Sequence, residues 1–269
     1  MPVVDLHTHS EFSDGTSSPE EVVHAALKSG VQIFALTDHD TMDGTSRAQT
    51  LATERKMRFV YGVEISTREH DHLHFTGYNI NPNDTAFQAF LKENREKRTG
   101  RIRQVIKQLQ EAGLQITEEE VFSRASNTIS RAHVADTLKA KGYAPTRQAA
   151  FRKYLVQGMP GYVAPIGVSA VEAITHIKKA GGLAVIAHPG IVTEHWEFPV
   201  WKEAGLDGIE VFYPAHTFSM RQELLHLADK YGLFASAGSD FHGPKGGRSS
   251  TPGMQIPQNH YNRLLSILF

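Results

Sequence analysis

What most limits the folds open to this chain is a repeating alternation of short apolar runs and amphipathic stretches, broken once in the middle. Residues 3–10, 31–36, 59–65 and 73–78 read as strands, short and rich in Val, Ile, Leu and Phe. Between them, Ser18-Pro19-Glu20-Glu21 opens a helix with a serine cap, a first-position proline and acids in the first turn, and Gly30 closes it. A second helix is expected at about 44–56. From Asp84 to about Tyr162 the period is helical throughout. Phe87, Phe90 and Leu91 lead into Ile102, Val105, Ile106 and Leu109, all expected to form the core of that block. Thr117-Glu118-Glu119-Glu120 is a capping box, and two shorter helices come after it near 131–141 and 146–156. The alternation then resumes, with helices at 170–179 and about 220–231 and strands at 183–187, 208–212 and 233–237. Repeated strand–helix units predict a parallel sheet or barrel. The expected architecture is an α/β barrel built from 1–83 and 166–269, with an all-helical insertion at 84–165.

Polar residues gather where these strands end. The first strand closes on His7-Thr8-His9. Side chains two apart on a strand share a face, so Asp5, His7 and His9 point one way and Val4 and Leu6 the other. The second closes on Thr37-Asp38-His39-Asp40. Glu64 lies near the end of the third and His74 at the start of the fourth. His188-Pro189-Gly190 ends a later strand, Glu210 sits inside another, and Ser239-Asp240-Phe241-His242 comes after the last. Any one of these is a common pattern: two ordinary strand histidines, a strand terminator, a helix cap. Their recurrence at successive strand ends is the informative fact, because barrels carry their chemistry on that face. With Asp14 in the first loop, nine ligand-type residues result: His7, His9, Asp14, His39, Glu64, His74, His188, Asp240 and His242. One ion takes roughly four to six ligands, so this set suits two or three, with a carboxylate bridging.

Composition narrows the chemistry. There are no cysteines and fifteen histidines, so disulfides and thiolate ligation are excluded and any metal is held by imidazole and carboxylate. That points to manganese first, with iron, zinc or magnesium as alternatives. No apolar run approaches a membrane span, and the N-terminus lacks the basic and apolar regions of a signal peptide. With the absent cysteines, this sets a cytoplasmic expectation. The net charge of −1 is unevenly spread: 84–165 holds 14 Lys and Arg against 8 Asp and Glu, or +6, which leaves −7 elsewhere. An acidic part that binds cations and a basic part that binds an anionic substrate is the expected division. No protein partner is implied.

The motifs His7-Thr8-His9, Thr37-Asp38-His39-Asp40, Glu64, His74, Ala187-His188-Pro189 and Ser239-Asp240-Phe241-His242 resemble those of the PHP (polymerase and histidinol phosphatase) family. The resemblance implies a distorted (β/α)7 TIM-like barrel and a two- or three-metal phosphoesterase site. It implies one metal on His7, His9, Glu64 and Asp240, and a second on Glu64, His74 and His188. A third falls on Asp14, His39 and His242, with Glu64 bridging the first two. Within the family, Ile129-Ser130-Arg131-Ala132-His133-Val134-Ala135 and Phe151-x-x-Tyr154-Leu155-x-x-Gly158-x-Pro160 are similar to nucleoside 3′,5′-bisphosphate phosphatases, some of which also trim short RNA from the 5′ end. That similarity makes Arg131 and His133 contacts to substrate phosphate. Ile191 stands where it leads one to expect an arginine.

The chemistry of the residues agrees with that reading. Clustered divalent ions lower the pKa of a shared water and offset charge on phosphoryl oxygens. A planar arginine fork donates two hydrogen bonds to phosphate at once. Three other readings stay open at this point. One is a metal-dependent amidohydrolase, which usually wants a bridging lysine. Another is histidinol-phosphate phosphatase. The third is a non-catalytic barrel that binds nucleic acid or serves as a polymerase accessory. Asp5 is placed to orient a ligand from behind, His70, His72 and His195 lie near the site with no role assigned, and His24, His176 and His226 read as packing or surface residues.

Overall fold

A computed structural model describes residues 1–246 and 248–269. The chain begins with β1 (Val3–Asp5), α1 (Pro19–Lys28), β2 (Val31–Leu36), α2 (Thr45–Glu54), β3 (Arg58–Ser66) and β4 (His74–Tyr78). The helical block is next, with α3 (Thr85–Glu111), α4 (Glu118–Phe122), α5 (Arg131–Ala140), α6 (Arg147–Ala150) and a π-helical turn at Phe151–Leu155. The chain ends with α7 (Ala170–Lys179), β5 (Leu183–Ile186), α8 (Phe198–Ala204), β6 (Leu206–Phe212), α9 (Phe218–Tyr231), β7 (Phe234–Ala237), β8 (Met254–Gln255) and α10 (Gln258–Leu268).

The strands form one sheet in the order β7-β6-β5-β4-β3-β2-β1-β8. Beyond that order, β1 and β7 also meet. The Leu6 N–H donates to the Ala237 carbonyl at 2.9 Å, the Asp240 N–H donates to the His7 carbonyl at 2.9 Å, and Thr8 bridges Phe241 in parallel. These contacts curl seven strands into a barrel and leave β8 as an antiparallel flap on β1. The sheet is not uniformly parallel, since β4 runs antiparallel to both β3 and β5. Only residues 67–73 separate β3 from β4. A parallel crossover needs roughly a dozen residues or more, so a link this short turns the chain back on itself. The seven-stranded TIM-like barrel is as expected; β8, α8 and α10 are additions to the sequence reading.

Capping explains several helix starts. Ser18, Thr117, Ser130 and Ser169 each close a reciprocal box with the residue three positions on. The core corrects one expectation. Phe87, Phe90 and Leu91 belong to the main barrel cluster with Ile174 and Ile177 of α7, not to the core of the helical block. The Phe90 ring lies flat on His176, centroids 4.0 Å apart. Farther along α3, Ile102, Val105, Ile106 and Leu109 join Val134, Leu138 and Leu155 in a separate cluster. One 27-residue helix therefore roots in the barrel and then leaves it to carry the rest of the block. Among the described residues, no helix is long and apolar enough to cross a membrane.

Candidate active site

All nine sequence-nominated residues converge at one end of the barrel, and each is at most 9% exposed. Glu64 sits at the centre. Its Oε1 lies 3.3 Å from His7 Nε2, 2.9 Å from His74 Nδ1 and 3.1 Å from His188 Nε2. Its Oε2 lies 3.2 Å from His9 Nε2 and 3.0 Å from His39 Nδ1. Asp240 Oδ1 approaches His9 at 3.3 Å and His7 at 3.6 Å. Asp14 Oδ1 approaches His242 at 3.1 Å and His39 at 3.8 Å.

These atoms fall into four overlapping groups that can each hold an ion: His7, His9 and Asp240; His7, Glu64 and His188; His39, Glu64 and His74; and His9, Asp14, His39 and His242. The overlaps differ in detail from the three sets inferred by resemblance, because His39 faces Glu64 as well as Asp14 and His7 faces both carboxylates. Seven buried polar atoms of the cluster lack any hydrogen-bond partner: His7 Nε2, His9 Nε2, Asp14 Oδ1, His39 Nδ1, Glu64 Oε2, His188 Nδ1 and His242 Nε2. A buried donor or acceptor left unpaired costs roughly 1–3 kcal/mol. So many in one place, all imidazole or carboxylate, fit divalent cations.

The ionisation state agrees. Burial alone would push the carboxyls of Glu64, Asp240 and Asp14 up. Instead His39, His7 and His74 around Glu64, Arg248 and His242 beside Asp240, and His242 and His39 beside Asp14 hold all three well below the usual carboxylate range. Three charged, acceptor-only groups therefore face the same small volume.

Local backbone aims these side chains. Asp40, His188 and Asp240 adopt left-handed φ values of 54°, 32° and 53°, a region costly for residues with a Cβ and concentrated at functional sites. Gly15 lies so close to the His9 carbonyl that a Cβ would stand 2.5 Å from it, and this folds the loop that delivers Asp14 back over β1. At Gly238 a Cβ would lie 2.2 Å from His7 Cβ, so His7 occupies the space a side chain would need.

A ring of buried acids holds the ligands from behind. Glu210 faces His7 Nδ1 at 3.1 and 3.2 Å and accepts from the His188 N–H at 2.6 Å. It fixes the ring orientation of one ligand and the backbone of another. Asp5 accepts from the Ser239 hydroxyl and amide at 2.6 and 2.9 Å and from Gly253 N–H at 2.6 Å, which pins the loop bearing Asp240. Asp5 therefore acts from behind as the sequence suggested. Asp38 accepts from the Ser10 amide and the Ser10 and Ser13 hydroxyls at 2.6–2.7 Å, anchoring the Asp14 loop. The supporting role of Glu210 is not evident from the sequence. Its signal is a lone acid inside the apolar run Gly208-Ile209-Glu210-Val211-Phe212.

Above the cluster opens a cleft enclosing about 740 Å³, solvent at its mouth included. It is lined by Asp14, His39 and His74 below and by Arg98, Arg101, Arg131 and Arg248. Arg248, which nothing in the sequence spacing marks, meets Asp240 and stands in the site where Ile191 does not: Ile191 is 38% exposed on the turn after His188. Arg131 opens α5 behind its Ser130 cap. It is no solvated helix residue. Its guanidinium donates to Asp71 at 2.7 Å and lies over the Phe151 ring, and burial pushes its pKa down to about 10 despite Asp71. His133 closes the same cap, its Nδ1 accepting from the Ser130 N–H at 3.0 Å; it is near enough to feel the Asp14 charge but is not among the residues lining the cleft. His72 is, while His70 and His195 pack together beside it, ring centroids 4.6 Å apart.

The PHP domain family matches residues 5–182. The chain belongs to the PHP family. Similar curated relatives are a 3′,5′-nucleoside bisphosphate phosphatase of Chromobacterium violaceum, 40% identical over 92% of this chain and 90% of its own, and a 5′-3′ exoribonuclease of Haemophilus influenzae, 36% identical over 90% of each. A phosphoribosyl 1,2-cyclic phosphate 1,2-diphosphodiesterase of Eggerthella lenta is 31% identical over 95% of this chain and 99% of its own. Among solved structures, a Chromobacterium violaceum protein described as an amidohydrolase, with sulfate and no metal, superposes with a TM-score of 0.87 at 36% identity, covering 98% of this chain and 96% of that one. The PHP barrel described here is thus that of a metal-dependent phosphoesterase. The amidohydrolase reading of the chemistry falls away: no lysine lines the cleft among the described residues, and Glu64 occupies the centre.

Proposed function

We propose that this PHP enzyme hydrolyses a phosphate monoester of a nucleotide that carries two phosphates, the 3′-phosphate of a nucleoside 3′,5′-bisphosphate such as pAp, and that it also trims short 5′-phosphorylated RNA. The observation that carries this reading is the cleft. It joins the carboxylate–imidazole cluster, with Arg248 beside Asp240, to the insertion arginines Arg98, Arg101 and Arg131. One phosphate has a place at the cluster, and a second has a place among guanidinium groups. A substrate with a single small phosphate leaves the arginine end unused. The names of the Chromobacterium and Haemophilus relatives support the same substrate class.

The residues proposed to hold two or three divalent ions, manganese first, are His7, His9, Asp14, His39, Glu64, His74, His188, Asp240 and His242. Bound there, such ions supply a water of lowered pKa and neutralise charge on the phosphoryl oxygens. The chain's own part is positional. Glu64 would hold more than one such ion and offset their repulsion. Glu210, Asp5 and Asp38 hold the ligand loops. Arg248 and Arg131 orient the phosphates, and the helical block 84–165 serves as the substrate cap. His133 supports the Ser130–Arg131 turn through Nδ1, which leaves its Nε2–H to donate to substrate phosphate.

The test is phosphate release with Mn²⁺ from pAp, AMP, histidinol phosphate and a 5′-phosphorylated dinucleotide. On this reading pAp is the best of the monomers. Preference for histidinol phosphate, or equal rates on pAp and AMP, would remove the two-phosphate argument.

A further inference from the structure

We infer that Arg147, in the helical block, is a positioning residue for the Asp14 corner of the ligand cluster, so that the ion held by Asp14, His39 and His242 depends on the docked insertion. The inference rests on the proposed multi-metal site. Asp14 sits on a loop with no regular secondary structure between β1 and α1. From the barrel side, that loop is fixed at its start, where Asp38 binds Ser10 and Ser13. The Thr16 N–H then ties it to the His242 carbonyl at 2.9 Å. Further restraints come from the insertion. Thr128 N–H donates to the Phe12 carbonyl at 3.0 Å. Arg147 Nη1 donates to the Asp14 carbonyl at 3.3 Å and to the Gly246 carbonyl at 3.4 Å.

Arg147 thus reaches both loops that supply this corner, the one with Asp14 and the one after His242. Its own aim is fixed by Asp136, one turn from the end of α5, which accepts from Nε at 2.9 Å and from Nη2. The side chain is 11% exposed. Arg147 does not line the cleft. An arginine suits this task because its fork binds the Asp136 carboxylate with two nitrogens and leaves the third to span two carbonyls, which a lysine's point charge does not do. The His39–Glu64–His74 corner also meets the insertion, but through Asn94, Arg95 and Arg98 on Asp40 and not through Arg147. His7 and His188 are held by Glu210 within the barrel.

Groups that orient metal ligands typically change metal affinity by roughly 10- to 100-fold when removed. The experiment is Mn²⁺ titration of the metal-free full-length protein by calorimetry, with stoichiometry by elemental analysis, for wild type, Arg147→Ala, Arg147→Lys and Arg103→Ala. Arg103 is an exposed insertion arginine paired with Glu118 and serves as the control. Arg147→Ala is expected to weaken one equivalent by about 10-fold or more, with the other equivalents and the Arg103→Ala profile unchanged. Arg147→Lys is expected to recover only part of the loss. Wild-type affinity and stoichiometry in Arg147→Ala would overturn the inference and leave the metal reading intact. A uniform loss across all equivalents would also overturn it, since that marks general softening. No Mn²⁺ bound by wild type would overturn the metal reading itself.

Discussion

Glu64 has more asked of it than any other side chain in the molecule. Both its oxygens are shared, three imidazoles on one and two on the other. If ions bind as proposed, removing its charge would take away the carboxylate that offsets their repulsion, whereas each histidine serves fewer neighbours. Glu64→Gln is therefore expected to lose more activity than any single histidine substitution and more than one metal equivalent by elemental analysis; wild-type metal content and turnover would show that it does not bridge. His9 makes a second prediction at this scale. Burial works against its protonated form, but Asp240 and Glu64 outweigh that and raise its pKa to about 9 in the metal-free protein. A protonated imidazole cannot ligate, so ion binding must release that proton. Apparent Mn²⁺ affinity is expected to rise with pH from 7 through about 9, with proton release visible in calorimetry run in buffers of different ionisation enthalpy. The same raised value means that His9 stabilises the metal-free fold fully below its unfolded value of 6.5 and ceases to do so as pH climbs through about 9. A pH-independent affinity over that range would count against His9 as a ligand.

At the scale of elements, the strand ends were readable and the helical block was readable in part. A run such as Leu183–Ile186 declares its strand by apolar and β-branched residues, and His188 just beyond it declares the site. The same signal placed His7, His39 and Asp240. Antiparallel β4 escaped because its hydrophobic pattern is the same whichever way it runs; only the short 67–73 link decides direction. Phe87, Phe90 and Leu91 read as insertion core yet pack in the barrel, because helical periodicity reports which face is buried and not against what. The positive charge of the block also meant less than its sum suggests. Arg95 and Arg98 are bound to Asp40, Arg101 and Arg131 to Asp71, and Arg147 to Asp136 and the Asp14 carbonyl. Much of the basic excess therefore bolts the insertion together and to barrel loops before any substrate arrives. Arg131 at the start of α5 tests how much remains for binding. Hydrogen bonds to a charged partner are worth roughly 1.5–3 kcal/mol, so Arg131→Ala is expected to lower kcat/KM roughly 10- to 150-fold on a bisphosphate. The loss should be small on a chromogenic ester too short to reach α5. Asp71 also accepts from Arg101 at 2.5 Å, so its partner is not lost with Arg131 and the variant is expected to fold. Equal losses on both substrates would assign Arg131 to scaffolding alone.

At the scale of the whole molecule, a barrel brings His7 and His242 together from opposite ends of the sequence, and motif spacing alone cannot show that they share a site. The sequence identifies the ligand types and the strands that carry them. The supports are harder to see: Glu210 reads as one acid in an apolar strand, and Arg248 belongs to a loop with no pattern at all. Both depend on closure of β1 against β7, which sets Glu210 behind His7 and Arg248 beside Asp240. That closure gathers charged carboxylates and unpaired imidazole nitrogens into one buried volume, and the central claim is that they hold metal for phosphate-ester hydrolysis. The most direct measurement is phosphate release from a nucleoside 3′,5′-bisphosphate by protein stripped with chelator, assayed before and after Mn²⁺ is restored. Activity at background in the stripped protein, and its recovery with Mn²⁺, is the expected result. Full activity in the stripped, metal-free protein would contradict the claim.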